Sequence, residues 1–167
     1  LARRGMGFCI FSNAAIAALS ALEKPGIERV AILDWDVHPG NGTQEAVWDN
    51  AQIAYISTHQ SPFYPGTGWP QETGAQGNIL NLPLPADSSM VEYRATFEQQ
   101  ILPFLAKFQS DLLIVSAGFD ANRDDPLASM CLLPEDYGTF TEMCLGYTRK
   151  IVFGLEGGYD LDSLAES

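Results

Sequence analysis

Positive charge is scarce: Lys and Arg together number nine against 21 Asp and Glu, for a formal net charge of -12. Gripping phosphates needs clustered Lys and Arg, so no direct nucleic-acid partner is expected, whereas a cationic partner is easier to accommodate. Cys9, Cys131 and Cys144 are widely spaced and form no C-x-x-C pair. That spacing excludes a disulfide framework and favours a reducing compartment, so a cytoplasmic protein is expected, or a nuclear one in a eukaryote. No apolar run is long enough to cross a membrane and no signal-peptide pattern stands at Leu1, so no membrane partner is expected. The chain also lacks an initiator Met, and it stops as 160–165 begin to look like a helix. These ends predict that 1–167 are a partial domain, missing an N-terminal part and a C-terminal end.

What is present reads as globular, with 46% hydrophobic and 18% charged residues, enough for one core. Ser12-Asn13 can cap an Ala-rich helix over 14–24, ended by Pro25-Gly26. The continuous Val, Ile and Leu of 29–34 predict a parallel strand covered on both faces. A short helix over 43–49 and a strand over 52–58 follow. The stretch 59–77, rich in Gly and Pro, predicts a long irregular loop that places His59 off the sheet. A strand over 78–84 precedes a helix capped by Ser88-Ser89 and running to about Gln109, with Pro103 as its kink or break. A strand over 111–117, a loop over 118–133, a helix over 134–149 and a strand over 151–155 complete the pass. This alternation predicts an α/β fold, a parallel sheet flanked by helices on both faces.

The polar clusters fall directly after apolar strands, where open α/β sheets collect their ligands. Asp34-Trp35-Asp36-Val37-His38-Pro39-Gly40-Asn41-Gly42-Thr43 is the densest of them. In an extended segment Asp36 and His38 face one side while Trp35 and Val37 face the other. Alone, a D-x-H is more often structural than ligating. A catalytic zinc needs three protein ligands and an open position, and Asp120, emerging after Gly118 at another strand end, is the best candidate for the third.

Asp34 to Thr43, Ser116-Ala117-Gly118-Phe119-Asp120 with Asp124-Asp125-Pro126-Leu127, and Leu155-Glu156-Gly157-Gly158-Tyr159 resemble the three signature blocks of the zinc-dependent histone deacetylase family. Gly5 to Cys9 and Tyr64 to Gly68 are similar to two further segments, so the resemblance runs from Gly5 to the end of the chain. It corresponds to the C-terminal part of the catalytic domain. The Leu-Glu-Gly-Gly-Tyr form is closer to the class II and bacterial branch, with its acetylpolyamine amidohydrolase and acetoin-utilisation relatives, than to class I.

The resemblance implies a zinc-dependent amidohydrolase acting on an acetylated lysine side chain of a protein or on an acetylated small amine. It implies Asp36, His38 and Asp120 as Zn2+ ligands and Tyr159 as hydrogen-bond donor to the scissile carbonyl. It further implies a narrow channel lined by Gly7, Phe8 and Tyr64 with Leu127 at its rim. Asp34 would orient a catalytic histidine and share a structural K+ with Ser57. Asn41 stands where some members carry a second orienting Asp. The family's general base belongs to a tandem His pair just upstream of the Gly-Phe-Cys block, and this chain has only His38 and His59. The expectation is that the pair precedes Leu1 and that the fragment itself is inactive. Two other classes stand beside this one. A non-catalytic deacetylase-like acyl-amine binding module would keep the pocket without the base, and a dinuclear manganese ureohydrolase of the arginase type would need more acidic and His ligands than the chain offers.

Overall fold

The computed structural model describes residues 4–167. Leu1, Ala2 and Arg3, the first part of the basic, Gly-containing start, lie outside the described residues. Five parallel strands form one sheet in the order β3-β2-β1-β4-β5: β1 Val30–Asp34, β2 Ile53–Gln60, β3 Ile79–Leu84, β4 Leu112–Ala117 and β5 Ile151–Leu155. β1 lies at the centre and all five of its residues are buried. Its two faces go to different layers, as the two-residue period of a strand requires. Val30 and Ile32 pack with Ala14, Ala15 and Ala18 of α1 (Asn13–Leu22) and with Val47 of α2 (Asn41–Val47). Ala31 and Leu33 pack with Phe97, Ile101 and Leu105 and with Phe140 and Cys144 of the helices on the opposite face. The expected two-sided α/β arrangement is thus observed.

Local chemistry accounts for most element ends. The Ser12 hydroxyl accepts from the Ala15 N–H at the start of α1, which stops at Leu22, short of the expected Lys24. Ser89, not Ser88, caps α3 (Met90–Thr96), in a capping box with Glu92. The single helix expected from 88 to 109 is interrupted upstream of Pro103. A π-helical turn, Phe97–Ile101, separates α3 from α4 (Leu102–Phe108), and the Leu102 N–H donates to the Phe97 carbonyl five residues back. Pro103 has no N–H to offer the carbonyl four residues before it, so the chain widens one turn earlier and keeps Phe97 and Ile101 on the core face. α5 (Pro134–Tyr147) ends before Arg149, and Asp160 caps α6 (Leu161–Glu166).

The second strand differs most from expectation. β2 continues through His59 to Gln60 and is buried throughout, because Thr58, His59 and Gln60 pair in register with Leu82, Pro83 and Leu84 of β3. Among the described residues no helix is long and apolar enough to cross a membrane. β5 is the exception to the two-sided covering, with Val152, Phe153 and Leu155 exposed.

Candidate metal site

At the carboxyl edge of β1 the chain turns out of the sheet. Trp35 and Val37 drop into the core, 1% and 0% exposed, which leaves Asp36 and His38 on the opposite side. The loop after β4 brings Asp120 to them from the neighbouring strand. One ligand atom from each of the three lies within 4.8 Å of the others. His38 Nδ1 is 3.1 Å from Asp36 Oδ1 and 3.1 Å from Asp120 Oδ2.

Backbone amides hold both carboxylates in place. Asp36 accepts from the His38 N–H at 2.8 Å and the Gly157 N–H at 2.9 Å, and Asp120 accepts from the Val37 N–H at 2.9 Å. A Cβ on Gly118 would run into Asp36, and one on Gly157 would run into the carboxylates of Asp36 and Asp120. Glycine is therefore required at both positions by the closeness of the backbone to the acidic pair.

The electrostatics ask for a cation. Burial pushes the His38 imidazole down, but hydrogen bonds with Asp120 and Asp36 outweigh it and hold the group at about 10. Burial raises Asp120 to about 6 despite the opposing pull of His38. A positive charge between the two carboxylates is what stabilises this arrangement, whether a proton or a metal supplies it. Two carboxylate oxygens and one imidazole nitrogen also match the three-ligand set of a catalytic zinc site, so the residues present fit that ion. Among the described residues this is the one such cluster of three.

The remaining expected site residues fall into two groups. Gly7, Phe8, Tyr64, Leu127 and Tyr159 line one cleft with Asp36 and His38. The Tyr159 ring stands edge-on to Phe8 at 6.0 Å, and its N–H donates to Asp125 at 2.7 Å. Burial raises its phenol to about 12, so it stays protonated at neutral pH. Phe8 is 87% exposed, Tyr64 51% and Leu127 43%.

Asp34 and Ser57 sit opposite one another in register on β1 and β2. Asp34 stands outside the donor triangle; its carboxylate accepts from the Tyr55 hydroxyl at 2.8 Å and the Asp36 N–H at 3.2 Å. Burial, then the nearby Asp36 charge, push it well above the usual carboxylate range. Asn41 donates to Met6 Sδ and opens α2.

His59 needs correction: it lies in β2 and is 1% exposed, so only a structural setting holds and the loop position does not. Sequence reasoning missed Phe63, whose ring stacks on His38 at 5.3 Å and 22°. Its place beside Tyr64 in a Pro-flanked loop was the available signal.

The histone deacetylase domain model matches residues 1–167. The chain is 55% identical over 163 residues to the uncharacterized protein slr0245 of Synechocystis sp., covering 98% of this chain and 54% of that protein. It is 43% identical over 173 residues to the chloroplastic histone deacetylase 14 of Arabidopsis thaliana, covering 97% of this chain and 40% of that one. Among solved structures, the HDA15 HD domain superposes with a TM-score of 0.92 at 40% identity, covering 99% of this chain and 49% of that chain. The acetylpolyamine aminohydrolase from Burkholderia pseudomallei gives 0.89 at 35%, covering 95% and 47%. The chain thus spans about half the length of these relatives.

Proposed function

The chain belongs to the histone deacetylase family, and we propose that it forms the metal-binding part of a deacetylase acting on acetyl-lysine, in a histone or another protein, or on an acetylated polyamine. The observation that carries this reading is the convergence of Asp36, His38 and the buried Asp120, the first two of which line a cleft together with Tyr159. These three residues would hold Zn2+, which when bound would polarise the substrate carbonyl and lower the pKa of the attacking water.

The other residues divide the remaining work. The neutral Tyr159 phenol donates a hydrogen bond to the carbonyl oxygen as negative charge grows there. Gly7, Phe8, Tyr64 and Leu127 take the uncharged acylated stem, which suits apolar walls. Asp34 orients a catalytic histidine and, with Ser57, holds a K+ ion; its buried carboxylate supports a nearby cation. Proton transfer needs a base, and neither histidine of the chain is available for it. His38 is committed to the metal, and both ring nitrogens of His59 are engaged. The family resemblance gives the base to a tandem His pair, which these two histidines do not form, and without one the chain would lose the ~10²–10⁴-fold that such a base contributes.

The same reading covers the domain organisation. The remainder of a longer domain would lie over β5, where Val152, Phe153 and Leu155 are exposed, and over Ile16 and Leu19 of α1. The three cysteines are free, as a reducing compartment such as the cytoplasm or nucleus allows.

The test is zinc analysis and turnover of the full-length protein on acetyl-lysine peptides and acetylpolyamines. Stoichiometric zinc and turnover on one panel are expected, with both lost in Asp120→Ala. Full zinc occupancy without turnover on either panel, or an unaffected Asp120→Ala, sinks the reading. A non-catalytic acyl-amine binding module is the second reading, favoured by the lack of an available base among the described residues. Binding of acetylated peptide without hydrolysis, together with no His pair before Leu1, would establish it.

A further inference from the structure

The segment between β2 and β3 has no regular structure, yet it carries the two aromatic rings that touch His38. Phe63 stacks on the imidazole and Tyr64 meets it edge-on at 6.1 Å. The Ser61 N–H ties the start of this segment to the Leu84 carbonyl at 2.8 Å, and a second group of hydrogen bonds holds it several residues on, around Gly68. His59 Nε2 is 2.9 Å from the Gly68 carbonyl oxygen, which can only accept, so Nε2 carries the proton. Nδ1 of the neutral ring is then the acceptor for the Ser57 hydroxyl at 2.9 Å.

The Gly68 N–H donates to Glu72 Oε2 at 3.1 Å, and the same oxygen accepts from Gln44 Nε2 at 2.7 Å. Gln44 lies on α2, the helix that follows the His38 loop, and its own oxygen accepts from Asn81 of β3 at 2.7 Å. Gly68 has φ +83°, and a Cβ there would sit 2.7 Å from His59 Nε2 and 2.8 Å from Pro39 Cβ. It is wedged between the imidazole and the residue next to His38. A short turn, with the Gly66 N–H donating to the Phe63 carbonyl at 2.9 Å, links this wedge to the aromatic pair.

We propose that His59 and Glu72 are positioning residues, which clamp the backbone of Gly68 from both sides and thereby hold Phe63 and Tyr64 against His38 as one wall of the acyl cleft. Neither touches the substrate. The role in the cleft rests on the deacetylase reading above, whereas the clamp itself does not.

The test uses the full-length protein with His59→Gln, His59→Phe and Glu72→Gln, the last at a half-exposed position where the fold is not in question. Amide hydrogen exchange is read without reference to turnover. Exchange across 62–77 is expected to accelerate by about tenfold or more, with the β1 and β4 amides unchanged. With acetylated substrate, KM is expected to rise about 5- to 20-fold while kcat stays within about twofold and zinc content is unaltered. Unchanged exchange across 62–77 in Glu72→Gln overturns the clamp. So does acceleration spread evenly over the sheet with kcat and KM altered only in step with lost folded protein, which is what a merely structural role gives. Local acceleration in a protein that turns over no acetylated substrate upholds the clamp and removes the deacetylase reading instead.

Discussion

The two histidines of this chain stand at neighbouring strand ends, and their surroundings drive them in opposite directions. His38 faces two carboxylates at the floor of a cleft and is held at about 10. His59 faces a hydroxyl and a carbonyl, both neutral, and burial pushes it down to about 4. Both rings are desolvated, so burial cannot explain the difference. Formal charge on the partners does: a carboxylate repays the cost of a buried positive charge, and a neutral dipole does not. The first histidine thus stands where two carboxylates favour a positive charge, whereas the second stays uncharged and holds backbone.

The strongest way to break this contrast is to exchange the residues' fates by mutation. His38→Ala is expected to abolish zinc binding and lower turnover by about 10³-fold or more, since metal polarisation supplies several kcal/mol. His59→Gln should retain its zinc, and metal analysis beside steady-state kinetics of both variants checks the pair. Loss of zinc in His59→Gln would erase the distinction.

Tyr159→Phe sharpens the picture on the cleft side. Removing one donor to a developing oxyanion is expected to lower kcat by about 10²–10³-fold with zinc content unchanged. A variant that keeps full kcat would show that the phenol is not the donor.

Titration probes His59 directly. Between pH 6.5 and about 4 the unfolded chain carries the imidazole proton and the folded chain does not, so lowering the pH through this window favours unfolding. Its contribution to unfolding free energy should therefore fall by as much as about 3 kcal/mol from pH 6.5 to 4 and be flat above 6.5. Urea denaturation across that range checks it, and the window should lose this slope in His59→Gln. An identical slope in the variant would mean that other groups produce it.

The smallest effect is expected from Ser57→Ala. It leaves His59 Nδ1 buried without its donor, at a cost of about 1–3 kcal/mol. A lowered midpoint without loss of zinc is the expected result in thermal or chemical denaturation.

The metal half of the candidate site was legible because its signals are local. Asp36 and His38 are two residues apart beyond an apolar run, and Asp120 follows a second such run. Alternation of strand and helix likewise exposed the sheet and its order of elements. His59 was misplaced because Gly and Pro abundance after Thr58 outweighed a pairing with Leu82 to Leu84 that the local pattern does not contain. Pro103 was recognised as a disruption, but the place where the helix widens depended on keeping Phe97 stacked on Phe140, 4.7 Å away across the core. Phe63 was passed over because no periodicity marks a loop aromatic as a neighbour of a histidine 25 positions earlier.

By itself, then, the sequence determined the family resemblance, the α/β layering and which strand ends carry acid and imidazole, since backbone period and side-chain type are written residue by residue. Only the tertiary structure decided that Gly118 and Gly157 must be bare beside Asp36 and Asp120, and that His59 is buried and neutral. Those outcomes depend on close approach between segments far apart in the chain, where distance, exclusion of water and the charge of a neighbour set the chemistry of a side chain.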